Sequence, residues 1–252
     1  MRDQSTTEDF PVLVTVRKAY AAPVKNAGPL AQLLWPWLVA MAPVLLISGG
    51  LTWPWMERAI AGDSAARLAL GWTGTVVSIP FLSGIAVAWH RFVLRGELAY
   101  TSRRIWWYML SGAILWATVN VAASVGLWLS QSSAPEGGIV ALVLTCALSV
   151  LAFRMSLVLP AVAVCSAVSW VQVWKLTSGN TWPIFFGAIL AAAPLPIAQF
   201  ALGLMIAPEM TRLSYMLSNV VLGLAEAILL VVSVGYLSFA YQRFFEPTER
   251  TS

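Results

Sequence analysis

Charges in this chain are spaced so widely that membrane-length neutral stretches lie between them. Residues 26–56, 68–89, 105–135, 137–153, 155–174 and 176–208 contain no Asp, Glu, Lys or Arg. A helix needs about 20 mostly apolar residues to cross the hydrocarbon of a bilayer. There every backbone polar group must find its partner within the protein. Only 10% of the 252 residues are charged and 59% are hydrophobic, whereas a soluble domain is roughly 25% charged. Too little charge is available to coat a soluble globule, which excludes a cytosolic enzyme, a secreted disulfide scaffold and a disordered chain. The runs are continuous and lack the short alternation of an outer-membrane barrel. The expected fold is an all-α polytopic membrane bundle.

Six spans are predicted, at 30–51, 69–88, 105–129, 138–159, 183–207 and 217–241, after an N-terminal segment 1–29 and before a tail 242–252. Basic residues set the orientation, because cytoplasmic loops retain Lys and Arg. Six spans place eleven basic residues on one side (2, 17, 18, 25, 91, 95, 103, 104, 175, 243 and 250) and three on the other (58, 67 and 212). Both termini are therefore expected in the cytoplasm. Tryptophans at 35, 37, 89, 106, 107, 170, 174 and 182 fall near predicted inner ends, where indole prefers the headgroup level. The run 10–16 is cut off by Arg17 and Lys18, too early for a signal-peptide core. Cys146 and Cys165 have no metal or disulfide spacing and read as small buried hydrophobes.

The stretch 155–174 is itself long enough to cross, which would make a seventh span. Pro160 and the polar series Ser166, Ser169, Gln172, Lys175 instead favour an amphipathic helix at 163–180 on the cytoplasmic interface. A second such helix is expected near 12–24, with Val12, Val16, Ala19, Tyr20 and Pro23 on its apolar face and Thr15, Arg17 and Lys18 opposite. With 90–104, these give a basic or amphipathic stretch before each pair of spans, so the chain reads as three hairpins in one orientation. Trp35-Pro36-Trp37 with Pro43 echoes Trp182-Pro183 with Pro194, as in a parallel repeat.

Three stretches, 89–97 (WHRFVLRGE), 154–161 (RMSLVLPA), and Ser169-Trp170 with 176–182 (LTSGNTW), resemble uncharacterised multi-pass inner-membrane proteins of proteobacteria. They are similar to YciC-type proteins and to the membrane domain of some glycerophosphodiester phosphodiesterases. The resemblance implies a six-helix bacterial membrane protein and transfers no catalytic residues. Where the family pattern carries Lys or Arg before the glycine of the third stretch, this chain has Ser178.

No enzyme is expected, and no catalytic, cofactor-binding or metal site. The single histidine rules out a His-Glu-x-x-His zinc site, and there is neither a Gly-x-x-x-x-Gly-Lys phosphate loop nor a Gly-x-Ser-x-Gly elbow. Ionisable residues within spans are the best functional candidates, since at the bilayer centre each costs about 2.5–3.5 kcal/mol and usually faces the bundle interior or water. They are Glu226 and Arg154, separated axially by roughly 9 Å at about 1.5 Å per residue. Either they pair, or Arg154 snorkels to the cytoplasmic headgroups while Glu226 bonds a neighbouring helix. Asn120 and Gln199 extend this candidate polar site, and Pro194 and Pro196 should kink the fifth span beside it.

Candidate headgroup contacts are Arg17, Lys18, His90, Arg91, Arg95, Arg103, Arg104 and Lys175. The leading functional expectation is a non-enzymatic inner-membrane protein whose cytoplasmic collars bind anionic lipid or a partner in envelope maintenance. A small-solute or proton-coupled transporter using Glu226 and Arg154 is the alternative, followed by a lipid-modifying enzyme. Membrane lipids are the expected partners, nucleic acid is not, and a protein partner or second copy is left open.

Overall fold

The computed structural model describes residues 10–99, 104–130, 135–194, 197 and 211–245. Among these the chain is all-helical: α1 (Val12–Lys25), α2 (Ala27–Ile60), α3 (Ser64–Arg95), α4 (Ile105–Ser130), α5 (Pro135–Met155), α6 (Val158–Ala163), α7 (Trp170–Leu176), α8 (Thr181–Ala192) and α9 (Arg212–Phe245). Four runs are long and apolar enough to cross a membrane, namely α2, α3, α9 and Gly138–Ala163; Ile105–Val121 and α8 are shorter and apolar. Only 22–38% of the most apolar window of each long run is buried inside the protein. Leu51, Trp106, Ile139 and Leu142 are all 65–76% exposed, a surface suited to lipid and far too apolar for water.

Helices α2, α3 and α9 overrun the predicted spans at both ends. Hydropathy marks only the hydrocarbon, whereas the backbone ladder continues until a side chain or glycine ends it. Asp63 starts α3, its carboxylate accepting from the Ala65 and Ala66 N–H groups at 2.9 and 3.1 Å and from Arg58. The Ala66 N–H, then Arg58, hold the Asp63 carboxyl below its usual range. Stability from this cap is therefore complete above the ordinary carboxylate range and is lost as pH falls through the lowered value. Gly96, at φ +69°, stops α3 by returning its N–H to the Phe92 carbonyl at 2.8 Å.

One expectation for the connecting stretches needs correction, the single helix at 163–180. The basic stretch 90–104 begins inside α3, which runs on to Arg95. Between 163 and 180 only α7 is a new helix, and its seven residues rise about 10 Å, too short to cross. Residues 155–174 are broken into the end of α5, α6, a non-helical stretch and α7. Of the expected fifth span 183–207, α8 ends at Ala192; Leu195 and Pro196, with the kink expected there, lie outside the described residues.

Helix α9 is the axis of packing, touching α1, α2, α3, α6 and α8. Small residues set the approach. A Cβ on Gly49 of α2 would lie 3.1 Å from the Met216 Cα of α9, and one on Gly223 would strike Leu45. Between α2 and α3, Gly84 admits the Trp37 indole, whose ring atoms stand 2.4–2.6 Å from where its Cβ would be. The α4–α5 pair packs chiefly on itself. Its buried described side chains, Tyr108, Ala152 and Arg154, lie at one end of the pair. That end also carries Arg95, Arg104, Lys175 and Arg243, and is called the basic end below.

Candidate headgroup site at the basic end

Helix α1 packs on α8 and α9. The Phe10 N–H donates to Asn180 Oδ1 at 3.1 Å, its ring stacks on Phe244 at 5.4 Å, and the Tyr20 hydroxyl donates to the Leu190 carbonyl at 2.9 Å. Its buried face is Thr15, Ala19 and Ala22. Thr15 was expected on the polar side and Tyr20 on the apolar side. Close packing on α9 reverses this, because small residues fit against another helix while Thr15 returns its hydroxyl to the Pro11 carbonyl at 3.0 Å. Leu13, Val14 and Val24 are left exposed, together with Arg17, Lys18 and Lys25. Apolar and cationic groups outward on one helix suit the headgroup plane of an anionic leaflet.

Helix α7 is fixed differently. Ser169 and Gln172 form a reciprocal capping box at its start, at 3.3 and 2.8 Å. These two residues therefore cap the helix, where the sequence suggested a simple polar stripe. Arg154, at the end of α5, grips it from below: Nε donates to Thr177 Oγ1 at 2.7 Å, Nη2 donates to the Trp174 carbonyl, and the guanidinium lies 3.8 Å from the Trp174 ring centroid. Trp170, Val171, Trp174 and Lys175 then point outward. With Trp35, Trp106, Trp107 and Trp182, also exposed, they form an aromatic band at this end.

Not every expected headgroup contact faces outward. His90 is wholly buried, which corrects its assignment. On a helix it points about 100° away from Arg91 and enters the core between α3, α4 and α9. Its Nδ1 lies 2.8 Å from Ser238 Oγ, and its ring is 5.8 Å from that of Tyr108. Ser238 gives its own hydrogen to the Val234 carbonyl at 3.0 Å, so His90 Nδ1 must be the donor and Nε2 the bare acceptor. Trp89 is likewise core, 1% exposed. Arg91 pairs with Glu97, Arg95 is exposed, Arg104 reaches the Ser166 carbonyl at 3.3 Å, and Arg103 lies outside the described residues.

The expected intramembrane polar site is not assembled. Arg154 is committed to α7, and no ion pair joins it to Glu226 among the described residues. Glu226 is half-buried and makes no hydrogen bond to a described residue. Asn120 donates to the Trp116 carbonyl of its own helix at 2.9 Å, and Gln199 lies outside the described residues. We expect the changes Glu226→Gln and Arg154→Gln to add within about 0.5 kcal/mol in a double-mutant cycle in detergent. Coupling above about 1 kcal/mol would restore the pair.

Both cysteines are exposed and outside any disulfide, against the buried reading; Cys146 lies on the outward side of α5 and Cys165 in the turn after α6 at φ +58°. No group of three His, Cys, Asp or Glu able to hold a metal occurs among the described residues. No family model matches the chain, no curated protein matches it, and no solved structure matches it.

Proposed function

We propose that the chain is a non-enzymatic six-span protein of a bacterial inner membrane, with both termini in the cytoplasm, whose basic end binds anionic lipid headgroups. The six spans count α4 and the span expected from the sequence at 183–207 with the four long runs. The carrying observation is that α1 and α7 are each locked to the bundle by specific hydrogen bonds yet turn cations and large apolar side chains outward together. A rigid collar of this kind holds headgroups without ordering a loop. It agrees with the eleven-to-three basic asymmetry and with the resemblance of three stretches to multi-pass inner-membrane proteins.

Purification in mild detergent tests this. The protein should retain phosphatidylglycerol and cardiolipin in excess over their share of the source membrane, and the excess should shrink as salt screens the exposed cations. Lipid retained only in the proportions of the membrane contradicts the reading; a stoichiometric protein partner in its place would favour an envelope-maintenance role. A transporter is the second reading, supported by Glu226, which is half-buried and has no hydrogen-bond partner among the described residues. It requires solute or proton flux that is lost in Glu226→Gln.

A further inference from the structure

Arg154 is 6% exposed, and no carboxylate among the described residues lies within ion-pair distance of it. A buried cation is ordinarily paired. Among the described residues two of its five N–H groups are used, on the Thr177 hydroxyl and the Trp174 carbonyl, and Trp174 covers one face of the guanidinium. These partners are neutral, so they orient the fork without cancelling its charge. Thr177 is itself fixed, donating to the Val173 carbonyl at 2.7 Å. The three remaining N–H groups form a preset, planar donor edge.

We propose that Arg154 is the anchor of a single phosphate site, which takes the phosphate of a lipid headgroup seated against α7. This inference rests on the lipid reading above and narrows it from a diffuse collar to one residue. Guanidinium is the side chain whose fork matches two phosphate oxygens, and its place beside the band of outward tryptophans puts it at headgroup depth. Trp174, half-exposed, flanks the site with an apolar wall suited to the glycerol and first acyl carbons. The site supplies charge and shape only, and no bond is made or broken.

Native mass spectrometry of the full chain, titrated with phosphatidylglycerol, separates the possibilities. One lipid should bind well above the rest, and Arg154→Gln should weaken that first binding by about tenfold or more, the scale of a charge-assisted hydrogen bond. Arg154→Lys keeps the charge without the fork and should lose several-fold, which tests the site even where the glutamine variant fails to fold. Retention of inorganic phosphate but no lipid by the wild type would place the same chemistry with a free anion and defeat the lipid reading alone. Wild-type lipid binding that neither variant weakens would overturn the Arg154 site and leave the collar standing. Failure to bind either lipid or phosphate would overturn both.

Discussion

Replacing Tyr236 by alanine is expected to destabilise the protein by about 3–5 kcal/mol, the scale of deleting a large buried ring. Tyr236 is fully buried in α9. Its hydroxyl donates to the Ile184 carbonyl at 3.0 Å, and its ring meets the edge of Phe10 at 6.3 Å. Gly187 makes the room: a Cβ there would lie 2.2 Å from the hydroxyl oxygen. One side chain thus joins α9 to α8 and to the start of α1. Lipid is as apolar as the core, so packing complementarity carries much of the association, and a cavity at this junction cannot be refilled by a neighbour. Tyr236→Phe removes only the hydrogen bond and should cost about 1 kcal/mol. Thermal unfolding in detergent should rank alanine far below phenylalanine; equal losses would mean that the ring fills no essential space.

Trp89→Ala should be comparably severe, about 3–5 kcal/mol, whereas Trp106→Ala should change stability by no more than about 0.5 kcal/mol. In the sequence both are tryptophans near an inner membrane end. In the fold Trp89 is 1% exposed and Trp106 is 76% exposed. Trp89 stacks on Phe92 at 5.3 Å, and its Nε1 would be 3.4 Å from a Cβ on Gly235, which also faces the Ala19 backbone of α1. Its loss should therefore loosen α1 as well, seen as faster tryptic cleavage at Arg17 and Lys18. Similar melting temperatures for the two variants would contradict the division into core and belt.

That pair of tryptophans shows where sequence reasoning was sufficient and where it stopped. Uncharged length located the main apolar helices, because the cost of putting charge into hydrocarbon is a property of composition. The direction in which a residue faces depends on partners elsewhere in the chain. His90 sat among arginines and read as a headgroup contact, yet it ends a stretch, 83–90, that is buried at every position and carries no Asp, Glu, Lys or Arg. The Ser169-x-x-Gln172 capping box was also legible as a helix start. The union of Arg154 with Trp174 and Thr177 was not, because it is made by a chain reversal between α5 and α7 that no local pattern encodes. For the same reason axial position alone left open whether Glu226 and Arg154 pair, while the fold turns the arginine toward neutral groups at the basic end.

The central claim, a six-span bundle with its basic end in the cytoplasm, is tested most directly by single-cysteine labelling in intact spheroplasts and inverted vesicles. The background is Cys146→Ala with Cys165→Ala, which removes both exposed native thiols. Gln172→Cys and Lys175→Cys, at exposed positions of α7, should react with a membrane-impermeant maleimide only in inverted vesicles. Ala61→Cys, exposed between α2 and α3, should react only in spheroplasts. Labelling of Lys175→Cys in spheroplasts would contradict the orientation, and labelling of all three positions from the same side would contradict the three spans counted between Ala61 and Gln172.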